Sequence, residues 1–320
     1  MVWYLARRVA GTACLLVVVI GVTFSLIHLI PGDAAQVLAG PAGGDPQYLA
    51  HLRHSLGLDR PLLDQMAVYL ASVFRGNLGF SAIQGRPVLD VIISRSGATL
   101  LLAGTSLLLA AIGGVLLGIV AAARRHTRAD TAISIGSLMA SSLPVFWLGQ
   151  ILVGVFAVQL GWLPTGGLRS PGGSLGAGGL IDVIRHLVLP AGALSLLLLG
   201  LLVRITRSSM VNVLAEEHIG AARARGIPEW RLLLRHALPN AARPVVTVLT
   251  AELGLVLTGT VLVETVFSWP GLGTLLLDSV LNRDDPTLVG LLLVSSFAVA
   301  GANLLGDLVY LAIDPRVRLR

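Results

Sequence analysis

Apolar residues run along the chain in long blocks separated by polar or Gly-rich stretches. A helix needs about 20 apolar residues to cross the roughly 30 Å hydrocarbon core, because lipid leaves free backbone N–H and C=O groups without partners. Six blocks meet or approach that length: 9–30, 100–123, 133–160, 187–203, 245–263 and 288–311. The fourth, at 17 residues, is the shortest. The pattern predicts an all-α, polytopic membrane protein with six transmembrane helices. Residues 1–30 form an N-terminal span, 31–98 an extracytoplasmic segment with short helices, and 99–320 a five-helix core containing a cytoplasmic loop at 204–244. The first block follows Arg7 and Arg8, as in a signal peptide, but its apolar run exceeds the roughly 7–15 residues of such peptides, which favours a retained helix.

Between the spans the pattern becomes helical on a smaller scale. In the outer segment Asp45 and Pro46 suit a helix start and Gly57 a stop, while Pro61 and Gly76 bracket a second helix. Pro87 opens 88–95, where Leu89, Ile92 and Ile93 share a face, as a helix lying at the interface requires. Residues 166–179 are Gly-rich without apolar periodicity, and read as a flexible outer loop. Gly114 and Gly118 give a GxxxG spacing suited to close helix packing. Pro144 interrupts the third block, as a static kink or a hinge. No internal repeat is visible, so the inverted repeat of many secondary transporters has no support.

Charge gives the spans a direction. Only 12% of residues are charged and 55% are hydrophobic, with a mean hydropathy of +0.84. All 23 basic residues are Arg, so neither a P-loop lysine nor a Schiff-base lysine is available. Fifteen Arg fall on the side of the termini, against three in the short loops of the other side. The 68-residue outer segment is too long to count. Both termini are therefore expected in the cytoplasm. The net charge of +6 is scattered between apolar runs rather than gathered on a solvated face, which argues against nucleic-acid binding. The lone Cys14 excludes an intrachain disulfide, does not resemble a lipoprotein site, and is expected to be a packing residue.

The cytoplasmic loop is the most informative stretch. Val211, Leu214, His218, Ala221, Ala222 and Arg225 recur at helical spacing, and Gly226, Ile227 and Pro228 form a stop. Pro228 and Glu229 suit a second short helix, with Arg235 and His236 near its negative end. Small residues at Ala221, Ala222 and Gly226 allow close approach of another surface, with Arg223 and Arg225 beside them for charged contacts. Composition alone leaves an ordinary Ala-rich surface helix standing beside this docking knob.

The run Ala221, Ala222, Gly226, then Leu238 and Pro239, resembles the EAA loop of permease subunits of ABC importers. Gly220 replaces the usual acidic residue and His236 an aliphatic one. The likeness extends over EEHIGAARARGIPEWRLLLRHALPNAARP, VETVFSWPGLGTLLLDSVL, LGLDRPLLDQ, RGNLGFS and SSLPVFWLGQILVGVFAVQLGWLPTGG, which are similar to the dipeptide, oligopeptide and nickel branch. That resemblance implies a type I ABC importer permease fold in a bacterial inner membrane. It also implies a second homologous permease, two ATPase subunits that use ATP and Mg, and an extracytoplasmic solute-binding protein. Ala221, Ala222, Arg223, Arg225 and Gly226 would form the ATPase-coupling helix. The chain itself would bind no cofactor and catalyse no reaction. Short peptides are the leading cargo, with nickel chelates or glutathione-like solutes as alternatives.

Two acidic residues bear on the substrate path. Glu252 lies inside the fifth block, where a charge costs roughly 2.5–3.5 kcal/mol, so it should face a cavity, the second permease or a structural partner. Glu264, at the outer end, is expected to reach water as a gate or periplasmic contact. Asn303 and Asp307 share a face near the cytoplasm and suit helix-end packing. His51 and His54 lack a third ligand, and no metal site is assigned. A secondary transporter or channel should carry more ionisable residues at mid-membrane, and an intramembrane metalloenzyme should show the HExxH zinc pair, which is absent.

Overall fold

A computed structural model describes residues 2–29, 46–55, 59–172 and 177–313. The backbone forms α1 (Val2–Leu29), α2 (Pro46–Ser55), α3 (Leu62–Phe74), β1 (Phe80–Ser81), β2 (Arg86–Pro87), α4 (Val88–Ala123), α5 (Arg128–Ser142) and α6 (Val145–Gln159). It continues through α7 (Ala177–Leu214), α8 (Glu217–Ala224) and α9 (Glu229–Arg231), a π-wound stretch Leu232–Ala237, and α10 (Leu238–Gly259). The last elements are α11 (Val261–Val266), α12 (Leu272–Leu281) and α13 (Asp285–Ile313). Among the described residues α4, α7 and α13 are long and apolar enough to cross a membrane, and α5 with α6 makes a fourth if that bent pair counts as one span. The expected first and fifth spans lie on α1 and α10, part of whose side chains fall outside the described residues.

The chain folds as two compact units. One contains the described residues up to Gly97 together with Leu275–Ala300. Ile20, Val289 and Leu293 are its buried centre, with Tyr69, Leu70, Val73 and Phe297 packed around them. The helices Pro46–Ser55 and Leu62–Phe74 stand where the caps predict, although Gly57 and Asp45 lie outside the described residues. A small antiparallel ribbon, Phe80 opposite Pro87 and Ser81 opposite Arg86, was not foreseen. Buried Asp284 ties it to α13: Ser81 Oγ and Thr287 Oγ1 both donate to Asp284 Oδ2, at 2.6 and 2.7 Å. Residues 88–95 are not a separate interfacial helix. They are the first turns of the 36-residue α4, where Val88, Val91 and Ile92 are buried, Val88 and Ile92 against a close approach of α13 at Gly290. Cys14 is exposed on α1 and packs into no core among the described residues.

The second unit comprises Ala98–Thr274 and the described residues from Gly301 onward. Its central helix is α7, two-thirds of whose most apolar window is buried, against 39% for α4. The glycine pair does what its spacing suggests. A Cβ on Gly114 would meet Leu202 Cβ at 2.5 Å, and one on Gly118 would meet Thr206 Cβ at 2.5 Å. Both partners advance by four, so α4 and α7 run parallel. Parallel neighbours require the chain to return between them, which it does through α5 and α6. Pro144 produces more than a kink: α5 and α6 meet at 100°. The expected 17-residue span is instead part of a 38-residue helix that accommodates Pro190. The Gly-rich stretch is pinned where it is described. Gly167 N–H donates to Phe267 O at 2.8 Å, and Ser170 donates through N–H and Oγ to Asp182 at 2.7 and 2.8 Å. Its last residues already belong to α7, and 173–176 lie outside the described residues.

Candidate functional site

The loop at 204–244 forms an elbow. Helix α7 runs on to Leu214, the chain turns at Ala215 and Glu216, and α8 follows. One face of α8 is sunk into its own unit: Ile219 is fully buried and Ala222 is 8% exposed. They rest on a platform of Ile119 and Ala122 from α4, Met210 and Val213 from α7, and Leu232, Ala237 and Ala241 from the returning limb. Helix α8 ends in a Schellman motif. Ile227 N–H donates to Ala222 O at 3.4 Å and Gly226 N–H to Arg223 O at 3.0 Å. Gly226 sits at φ +76°, where a Cβ is strained, which explains glycine at this position. Arg223 then clasps Glu229 across the turn, Nη2 to Oε1 at 2.9 Å and Nε to Oε2 at 3.4 Å.

This geometry sorts the five sequence-selected residues. Ala221 and Arg225 are exposed, Ala222 faces inward, Gly226 sets the turn, and Arg223 is engaged within the chain. With Gly220 and Ala224 also exposed, the outward face of α8 carries a strip of three small residues next to exposed Glu217, flanked by exposed His218 and Arg223. A surface of that kind lets a foreign backbone come close, while the buried face holds α8 rigidly to α4, α7 and the limb beyond it. The limb differs from expectation. It does not end near His236, since the chain winds from Glu229 through the π-wound Leu232–Ala237 into α10 without a break, so Arg235 and His236 complement no helix terminus. A second joint was missed entirely. Asp130, 4% exposed, takes Arg207 Nε at 2.5 Å and Nη2 at 2.7 Å, linking the start of α5 to α7 two turns before the elbow. Its sequence signal was weak, since Arg207 and Asp130 lie 77 residues apart and both read as loop-end charges.

Glu264 does not reach water: it is fully buried. Its Oε1 accepts from Thr99 Oγ1 at 2.7 Å and its Oε2 from the N–H groups of Gly273 and Thr274 at 2.6 and 3.1 Å. A carboxylate thus caps the start of α12 from outside it, and Gly271 and Gly273 leave no room for a side chain beside it. Trp269, fully buried, donates from Nε1 to Ala98 O at 2.8 Å in the same knot. Glu252 is half-buried, and its Oε2 is buried without a hydrogen-bond partner among the described residues. Asn303 is exposed among the described residues, and the Asp307 side chain lies outside them. His54 Nδ1 pairs with Asp59 Oδ2 at 2.7 Å, which holds the Asp59 carboxyl below its ordinary pKa. Among the described residues no three His, Cys, Asp or Glu are placed to hold a metal.

Comparison with known proteins accounts for this arrangement. Residues 114–319 match the family described as binding-protein-dependent transport system inner membrane component, and residues 1–103 match its N-terminal family. The glutathione transport system permease protein GsiC of Escherichia coli O6:H1 is 39% identical over 320 residues, covering 100% of both chains. GsiC of Salmonella choleraesuis strain SC-B67 is also 39% identical over the full length of both. The inward-facing MetNI methionine ABC transporter shares the fold, with a TM-score of 0.58 at 15% identity over 71% of this chain and 97% of that one. The chain belongs to the inner-membrane components of binding-protein-dependent transport systems: it is an ABC importer permease, a transport subunit and not an enzyme.

Proposed function

We propose that this chain forms one half of the translocation path for a short peptide of the glutathione kind. A second, homologous permease supplies the other half, and two ATPase subunits using ATP and Mg drive it. The chain takes its energy through α8, whose outer face (Gly220, Ala221, Ala224 and Arg225) seats in an ATPase groove while Ala222 and Gly226 hold the helix at the right angle. The observation that carries this reading is the two-sided character of α8, with a strip of small residues (Gly220, Ala221 and Ala224) outward and an inward face anchored to three other helices. The cargo reading rests on full-length likeness to glutathione permeases. Both termini and the elbow face the cytoplasm, six helices cross the membrane, and an extracytoplasmic protein delivers the ligand. Glu252, with an unpartnered buried oxygen in an apolar helix, faces the path or the second permease.

The test is uptake into proteoliposomes holding the assembled complex with its binding protein. Glutathione should enter only with ATP and all subunits, ahead of an unrelated dipeptide or a nickel chelate. Glu252→Gln should shift the uptake rate or the ligand preference. Uptake by this chain without the ATPases would sink the energy-coupling reading, and a marked preference for nickel chelate would sink the cargo reading.

A further inference from the structure

The returning limb of the elbow carries an apolar patch that the α8 reading does not use. Between Arg204 and Arg243 only two large apolar side chains are exposed among the described residues, Trp230 at 60% and Leu234 at 49%. Their neighbours Ile219 and Leu232 are fully buried, so this limb does put its apolar residues inside when it has a place for them. Trp230 and Leu234 are four residues apart on one continuous winding and lie on adjacent turns. The Arg231 guanidinium lies over the indole at 5.2 Å from its centroid, which restricts the ring before any partner arrives.

Lipid does not explain the patch. Fifteen residues of nearly continuous winding, six of them π-wound, separate Trp230 from the apolar block at 245, at most about 22 Å at the α-helical rise of about 1.5 Å per residue. The headgroup layer beyond the hydrocarbon is only about 5–8 Å deep, and Asn240 and Arg243 already interrupt the apolar run before 245. A tilt of about 40° still leaves Trp230 up to about 17 Å out, well beyond the headgroup layer. Position favours a protein instead. Trp230 adjoins Glu229, which Arg223 of α8 holds at 2.9 Å, so the patch is continuous with the outer face of that helix. Charge narrows the partner: Glu229 neutralises Arg223, while Arg225, Arg231 and Arg235 are exposed and make no ion pair among the described residues.

We propose that Trp230 and Leu234 form a second anchor for the ATPase subunit that receives α8, filling an apolar pocket with an acidic rim. The proposal rests on the coupling reading of α8 and adds a site to it. A lone helix in a groove can roll about its axis. A large aromatic anchor on the adjoining limb prevents that, so closure of the ATPases moves the whole elbow, and exposed Trp with Arg nearby is the composition of an interface hot spot.

The experiment measures binding of the purified ATPase subunit to the full-length permease pair in nanodiscs. Trp230→Ala should weaken binding at least tenfold, Leu234→Ala several-fold, and Trp230→Phe less than threefold. Ala221→Trp serves as the independent probe of α8. If Trp230→Ala and Leu234→Ala bind normally while Ala221→Trp does not, the second anchor is wrong and the docking of α8 stands. Normal binding by all the variants removes both. A nitroxide attached through Trp230→Cys in a Cys14→Ser background should be shielded on adding the ATPase at a concentration that saturates the weakened variant; accessibility to lipid-soluble quenchers without it would assign the patch to the membrane and overturn the proposal.

Discussion

Ala221 and Ala222 are adjacent and chemically identical, yet they do opposite work. Exposed Ala221 offers space to a partner, whereas Ala222 fills space within the chain's own platform, against Met210, Val213 and Leu232. Ala222→Leu should therefore destabilise the permease by about 1–3 kcal/mol through overpacking, while Ala221→Leu should leave stability unchanged within about 0.5 kcal/mol. Thermal denaturation of the two variants in detergent separates them, and transport should be lost in both for different reasons. Gly226 belongs with Ala222, because its φ of +76° sets the turn and a side chain there strains the seat before it blocks any partner. Sequence spacing placed all these residues on one short helix, but adjacent positions on a helix lie about 100° apart, and only the packed platform determines which of them is covered.

At the scale of elements, joints are made by buried polar groups that join distant parts of the sequence. Glu264 binds Thr99 on α4 and two N–H groups at the start of α12, with no water-facing side. Glu264→Ala would strand those donors, each costing about 1–3 kcal/mol when buried and unpaired, so the protein should melt markedly earlier. Glu264→Gln retains an acceptor and should be milder. A melting temperature unchanged in Glu264→Ala would return this residue to the role of a gate. Helix lengths also changed meaning in three dimensions. The apolar block at 187–203 is short because Arg185, His186, Arg204 and Arg207 flank it, but the helix continues through both polar ends since backbone hydrogen bonding does not stop where hydropathy does. At Pro144, the missing N–H made a break legible, and its 100° angle was set by what α6 packs against, including Gly149 beside Val266 and Phe267.

For the whole molecule, the six-span reading requires its second and fourth crossings to run in the same direction, and α4 and α7 do run parallel; the Arg asymmetry adds the expectation of which face is inside. Single cysteines in a Cys14→Ser background at exposed Tyr48 and exposed Arg225 should label from opposite faces of sealed vesicles. Labelling of both from one side would overturn the arrangement with the elbow inside. The sequence by itself determined the helical class, the membrane location, the positions of most apolar blocks and the elbow's break at Gly226, because those follow from local hydropathy, caps and the restricted backbone freedom of non-glycine residues. The likeness to importer permeases was also legible, spread over motifs along nearly the whole chain. Only the tertiary structure decided that Glu264 is a buried fastening, that Asp130 grips Arg207, that residues 88–95 continue a span, and that Trp230 is left uncovered. Each depends on which residues, dozens of positions apart, come within hydrogen-bonding or packing distance, and no local pattern of polarity encodes that distance.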